Sequence, residues 1–306
     1  MGRTAQDLYS RIFLQSPEAI RKEVDSLLLE MDPDVELPPL HAAFTDCVRL
    51  FDGRYPGYRR CNTLYHDVSH TLSVFLAAAR LMDGAHHGLP DVKLSSRTRV
   101  FGLINALFHD AGLIQTEEDT EGTGAKYTAG HEARSIRFLM LYLEERGFFV
   151  NRMGDCAHII GATIVGLSTE EIPFRNEEVR LAARIVGSAD LLAQMADRLY
   201  LEKLLYLYRE FQEAGMSEFT SELDLLKNTE SFYRNVSRER LRKDLGGVDS
   251  LMRVHFQKRF GLDTDFYQQN IDKNMLYLRR ILMKHERDYR DMLRRAGIVS
   301  SLERNS

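Results

Sequence analysis

Apolar residues recur at three- and four-residue spacing in Ile20–Leu29, Leu64–Leu81, Val100–Leu113, Ile136–Leu143, Val179–Leu192, Leu199–Phe211 and Met275–Met292. A helical turn of 3.6 residues brings such positions to one face, so each stretch predicts an amphipathic helix. No stretch alternates strictly, and runs of β-branched residues are short, so no strand is predicted. Glycine and proline gather between the helical stretches, at 33–39, 53–57, 84–90, 122–130 and 246–247, where the chain is expected to turn. Ser16 before Pro17-Glu18, and Ser95-Ser96 before Arg97, read as helix starts. With no fixed-period repeat and no low-complexity tract, the pattern predicts an all-α fold. It is read as an N-terminal helical arm over 1–40, a helical bundle over 41–215 and a C-terminal helical extension over 216–306.

Composition narrows this picture. The 306 residues are 44% apolar and 28% charged, the balance of a soluble globular protein rather than a disordered one. The longest apolar runs, near Val74–Ala79 and Leu103–Phe108, fall far short of the roughly 20 residues a membrane span needs, so no membrane partner is expected. The first residues, with Arg3, Asp7 and Arg11, lack the apolar core of a signal peptide. Cys47, Cys61 and Cys156 are odd in number and form no Cys-x-x-Cys pair, which fits a reduced, cytoplasmic setting. The net charge of −4 is uneven. Residues 221–306 hold 18 Lys and Arg against 13 Asp and Glu, a net of +5, and the remainder holds 23 against 32, a net of −9. An acidic body argues against nucleic acid as the main partner and suits the gathering of metal cations. The basic C-terminal part reads first as a solvated helical face, and its helices are where copies of the chain would meet in a homo-oligomer.

The chemistry lies in the histidines. In Tyr65-His66-Asp67-Val68-Ser69-His70 the two histidines are four apart and, on a helix, project from one face one turn apart. Leu64, Val68, Leu72, Phe75, Leu76 and Ala79 form the core stripe of that helix, about 120° wide, and the imidazoles point elsewhere, beside Ser73 and Ala77. Asn105-Ala106-Leu107-Phe108-His109-Asp110-Ala111-Gly112 ends an apolar helix with adjacent histidine and aspartate. A carboxylate there is costly to bury unless a cation compensates it, and it has two oxygens with which to bridge cations. His131, with Glu132, opens a helix for which Thr128 is the expected N-cap. His158 is a polar ring in the apolar run Cys156–Ile160, and Asp190 is a carboxylate in the apolar run Gly187–Leu192. Taken singly, His131 and His158 read as hydrogen-bonded core histidines, and Asp190 as a partner of Arg184 or Arg198. His86 and His87 are expected to be solvated in a loop, and His41, His255 and His285, without polar companions of the kind a metal site needs, to be structural.

The order His, His-Asp, His, His, Asp on successive helices resembles the HD superfamily of metal-dependent phosphohydrolases over roughly residues 60–215. Within it, Tyr65-His66-Asp67-x-x-His70 resembles the motif of class I cyclic nucleotide phosphodiesterases. The resemblance implies a helical bundle of the HD-domain type and hydrolysis of a small phosphate ester or nucleotide. It implies one or two divalent ions (Mg, Mn, Fe or Zn), with His70, His109, Asp110 and Asp190 as ligands of the first, Asp110 as the catalytic bridge and His66 as general acid. Asp67 stands where that class has asparagine, and Ala111-Gly112-Leu113 replaces its His-Asp-x-x-His continuation. Gln194, Gln212 and Gln257 compete for its purine-binding glutamine. His131 and His158 resemble the further ligands of two-metal HD proteins, among them cyclic-dinucleotide phosphodiesterases and di-iron oxygenases. Arg59 and Arg60, just upstream, are candidates to steer the phosphate. A di-iron oxygenase with the same six ligands and a non-catalytic HD signalling module are the alternatives.

Overall fold

Helix α1 (Pro17–Met31) begins where Ser16 accepts the N–H of Ala19 (3.1 Å) and proline occupies the first helical position, as the capping pattern predicts. The computed structural model describes residue 14 and residues 16–304; Arg3, Asp7 and Arg11 lie outside the described residues. The chain continues through α2 (Pro38–Phe51), α3 (Val68–Gly88), α4 (Ser96–Phe108), α5 (His131–Arg146), α6 (Gly154–Gly161) and α7 (Glu177–Ala196). It then forms α8 (Tyr200–Glu213), α9 (Glu222–Ser231), α10 (Leu251–Phe260), α11 (Phe266–Lys284), α12 (Tyr289–Met292) and α13 (Ile298–Arg304). The fold is an all-α bundle, and among the described residues the only β feature is an isolated bridge between Tyr58 and Thr116.

Helix α3 is the axis of the bundle. From His70 to Ala85 it is buried on all sides except at Ser73, because α1, α4, α7 and α10 pack around it. This surround explains why a single apolar stripe is a poor description of it: Leu64 of the expected stripe precedes the helix and is exposed. One buried apolar cluster runs from Ile20 to Leu302, so α1 and the helices after residue 216 share the core of the central helices. Among the described residues no helix is long and apolar enough to cross a membrane.

Several local expectations are corrected. Helix α3 starts at Val68, with Asp67 as its N-cap, so His66 is not on the helix. It then runs through Gly84, where a break was expected. A β-carbon on Gly84 would overlap the carbonyl oxygen of Leu251, so this glycine serves a close helix crossing with α10 rather than a turn. His86 and His87 therefore sit on the last turn of α3; Arg99 donates to His86 (3.3 Å) and His87 lies 3.6 Å from Asp83. The N-cap of α5 is Gly130, not Thr128. His41 pairs with Asp25 (3.0 Å), and the fully buried His255 pairs with Asp83 (2.7 Å), each a single ion pair, away from the histidines named as ligands.

The Gly84 crossing gives a stability test. Gly84→Ala should lower unfolding stability by about 1–3 kcal/mol, the usual effect of overpacking against a backbone that cannot yield. The measurement is the urea midpoint at constant m-value. Unchanged stability would mean that α10 does not press on α3 at this point.

Candidate metal centre

Three helix ends and the middle of a fourth helix deliver the polar side chains to one place. At the start of α3, Asp67 Oδ1 accepts the N–H of His70 (2.9 Å) and the hydroxyl of Ser69 (2.6 Å). This cap fixes the first turn and points the buried His70 inward. At the end of α4, His109 is the C-cap, and Asp110 opens a short turn through Ala111–Leu113. Gly112 lets this turn press on α5, since a β-carbon there would overlap the carbonyl oxygen of His131. Its N–H donates to Ser135 Oγ (2.9 Å), and Arg134 Nε donates to its carbonyl (2.6 Å). The start of α5 supplies His131, and Asp190 comes from the middle of α7.

The resulting cluster is tight. His70 Nε2 lies 3.4 Å from Asp110 Oδ2 and 3.2 Å from Asp190 Oδ1. His109 Nε2 lies 3.3 Å from Asp110 Oδ2 and 3.7 Å from Asp190 Oδ1. The other oxygen of Asp110, Oδ1, is 3.2 Å from His131 Nε2. His109 Nδ1 donates to the carbonyl of Ala106 and His131 Nδ1 to that of Thr128, both at 2.8 Å. A carbonyl only accepts, so each ring carries a proton on Nδ1 and turns Nε2 toward the aspartates, the arrangement that metal-binding imidazoles use.

The residues present fit a divalent cation. Buried polar atoms ordinarily find hydrogen-bond partners, yet His109 Nε2 and Asp110 Oδ2 are buried and have none. Ligand atoms of His70, His109 and Asp110 all lie within 4.8 Å of one another. Metal–ligand bonds of about 2.1 Å set neighbouring donors roughly 3.0–3.4 Å apart, close to the separations here. His70, His109, Asp110 and Asp190 would hold one ion. Asp110 Oδ1 and His131 lie on the side where a second would sit.

Beside the cluster, His66 is held by a residue that no sequence motif marks. His66 Nδ1 is 2.7 Å from Oε2 of Glu210, on α8. Oε1 of Glu210 accepts the N–H groups of Leu64 (2.8 Å) and Tyr65 (2.7 Å). Tyr65 Oη donates to Gln194 (2.9 Å), one turn beyond Asp190, and ties this segment to α7. Glu210 is 4% exposed and stands 144 residues from His66, so only the tertiary fold unites the pair. A cavity of about 430 Å³ opens on this side, lined in part by His66, Asp110, His131 and Asp190.

Three expected residues are not brought to the cluster. His158 packs edge-on against Phe174 (6.0 Å), its Nδ1 buried without a hydrogen-bond partner, and no ion pair or hydrogen bond joins it to the aspartates. Arg59 Nη1 donates to the carbonyl of Asp119 (2.8 Å), Arg60 is exposed, and neither lines the cavity. For Arg59 the local hydrogen bond to Asp119 accounts for the polar residue near the motif.

The electrostatics of the cluster set its response to pH. Burial alone would lower the His109 and His131 pKa values, but Asp110 outweighs it at both, joined at His109 by Asp190, and raises each to about 9. Burial likewise works to raise Asp110 and Asp190, and the surrounding histidines overcome it, holding both carboxyls below the usual range. At pH 7 without metal, His109 and His131 are therefore protonated, and a cation must displace those protons to reach Nε2. Metal affinity should rise with pH and level off above about 9. Up to two protons should be released per chain near pH 7, measured by calorimetry in buffers of different ionisation enthalpy. Affinity independent of pH between 6 and 8, without proton release, would remove these two histidines from the ligand set.

A sequence model of the Npun_R2479-like family matches residues 57–249, more than half of the chain, and this span contains every residue of the cluster and Glu210. No curated protein and no solved structure matches the chain. The chain belongs to the Npun_R2479-like family.

Proposed function

We propose that the protein is a metal-dependent phosphohydrolase of the HD type, similar in chemistry to cyclic nucleotide phosphodiesterases, working in a reducing cytoplasmic setting. The observation that carries this reading is the convergence of His70, His109, Asp110 and Asp190 in one cluster, whose two aspartates line the same cavity as His66, itself held by Glu210. When bound, divalent metal supplies positive charge to phosphoryl oxygens and lowers the pKa of water at the site.

The chain's own residues account for the rest. Burial opposes a charged His66, but the Glu210 carboxylate overrides it and raises the His66 pKa. A histidine kept protonated through Nδ1 has Nε2–H left to give to a departing ester oxygen, the role of a general acid. The two backbone N–H groups that donate to Glu210 Oε1 hold that carboxylate in line with the imidazole. The oxygenase alternative calls on six ligands including His158, and with that ring packed on Phe174 no observation favours it.

Two measurements test the reading. Asp110→Ala should lose both bound metal and hydrolysis in a screen over cyclic mononucleotides, cyclic dinucleotides and nucleotides. Full metal content with full activity would take Asp110 out of the site. His66→Asn should instead keep its metal and lower kcat by about 10²–10⁴-fold, with a smaller loss on an ester of p-nitrophenol, which departs without needing a proton. Since the acid must be protonated, activity falls as pH rises through its pKa. Glu210→Gln should move that falling limb to lower pH. Equal losses on both ester types, or metal lost with His66, would dismiss His66 as the acid.

A further inference from the structure

We propose that the site takes an ester of a single phosphoryl group bearing an apolar or aryl group, and that its cavity rejects polyphosphates and dinucleotides. This rests on the phosphohydrolase reading above and goes on to the substrate class.

The first argument is charge. Among the described residues, no lysine or arginine lines the cavity beside the metal cluster. The charged groups it presents, apart from histidine, are Asp110, Asp190, Glu132 and Glu218. Nearby cations are engaged elsewhere. Lys203 lies in a separate small cavity behind His70, 2.9 Å from Asp197. Arg240 is buried and donates to the carbonyls of Leu167 (2.9 Å) and Ala162 (2.7 Å). Sites for di- and triphosphates meet their charge with arginine forks or lysines. Here one phosphoryl group could be compensated by the metal and His66, while each further phosphate would be desolvated against carboxylates.

The second argument is the opposite wall. Leu204, Leu207, Phe211, Met216, Phe219 and Phe232 line it, and the rings of Phe211 and Phe219 stack at 6.1 Å with their planes 17° apart. Such a surface gains by covering an apolar or planar group and offers nothing to a second phosphate. The third is size: about 430 Å³ lies at the lower end of ligand cavities, the range of a mononucleotide-sized ester.

The test uses the full-length chain loaded with Mn²⁺, with calorimetric titration of inorganic phosphate, phenylphosphonate and inorganic triphosphate. Each ligand is pre-equilibrated with Mn²⁺, and protein metal content is checked afterwards. Phenylphosphonate should bind about tenfold or more tightly than phosphate, from burial of its ring, and triphosphate should bind no more tightly than phosphate. Phe219→Ala and the milder Phe232→Leu should each reduce the advantage of phenylphosphonate while leaving phosphate binding within about twofold. Glu218→Lys should strengthen triphosphate binding. Triphosphate binding above phenylphosphonate, or equal losses for phosphate and phenylphosphonate in both phenylalanine variants, overturns the proposal and leaves the phosphohydrolase reading intact. If inorganic phosphate itself fails to bind the loaded protein, both fall together.

Discussion

The position of the Asp110 carboxylate constrains everything around it. At 3% exposure it has almost no water, and a buried charge without compensation would cost about 3–5 kcal/mol or more. His109 precedes it in the chain, and His70 and His131 must be brought by separate helices, each arriving end-on. That requirement explains the helix boundaries at the site. Helix α3 begins two residues before His70 and α5 begins at His131 itself, while α4 stops at Phe108 so that His109 and Asp110 leave the helical direction. Gly112 completes the arrangement by letting the turn after Asp110 touch the first turn of α5. Protons on His109 and His131 offset the two aspartates, and the same ring nitrogens are the ones a cation would take. Either way, the charge on Asp110 is answered by the same three rings.

Compensation at the site is divided into two units that share a wall. Asp110 and Asp190 face His70 and His109, whereas Glu210 faces His66 and draws its other hydrogen bonds from the backbone of Leu64 and Tyr65. The rings of His66 and His70 are 6.0 Å apart, yet His66 is hydrogen-bonded to Glu210 whereas His70 lies against Asp110 and Asp190. Two neighbouring imidazoles are thus held by hydrogen-bond and ion-pair partners on different helices.

Much of this was legible in the chain, and the failures have physical causes. Helical periodicity located the main helices because most of them bury a single face. His109-Asp110 stood out because an aspartate that ends an apolar helix before a glycine has few ordinary explanations. His66 was set on the wrong element although the signal was present: Asp67, three residues before His70, is a helix cap, and a cap excludes the residues before it. Gly84 was taken for a breaker because sequence does not distinguish a glycine that turns the chain from one that admits a neighbouring carbonyl. Glu210 and the Asp83–His255 pair were out of reach. Their partners lie 144 and 172 residues away, and no local pattern encodes a contact at that range.

The cavity shows why the segment after residue 216 cannot be treated as an appendage. Its polar side comes from the turn after α4 and from α5 and α7, but Phe219, Leu225 and Phe232 of the far wall come from that segment. Phe232 opens a π-helical stretch, Phe232–Ser237, that continues α9. Such widened turns cost hydrogen-bond geometry and are retained where they place a side chain. A second π-helical stretch holds Arg240, whose two donations to Ala162 and Leu167 tie down the turn that gives Thr163, Ile164 and Val165 to the same cavity. The charged half of the site is thus fixed by the demands of a buried aspartate. The apolar half is built from α8 and the segment after it, which contribute no side chain to the ion pairs of Asp110. Residues on the far wall can change the shape offered to a ligand without disturbing the balance of charge around Asp110.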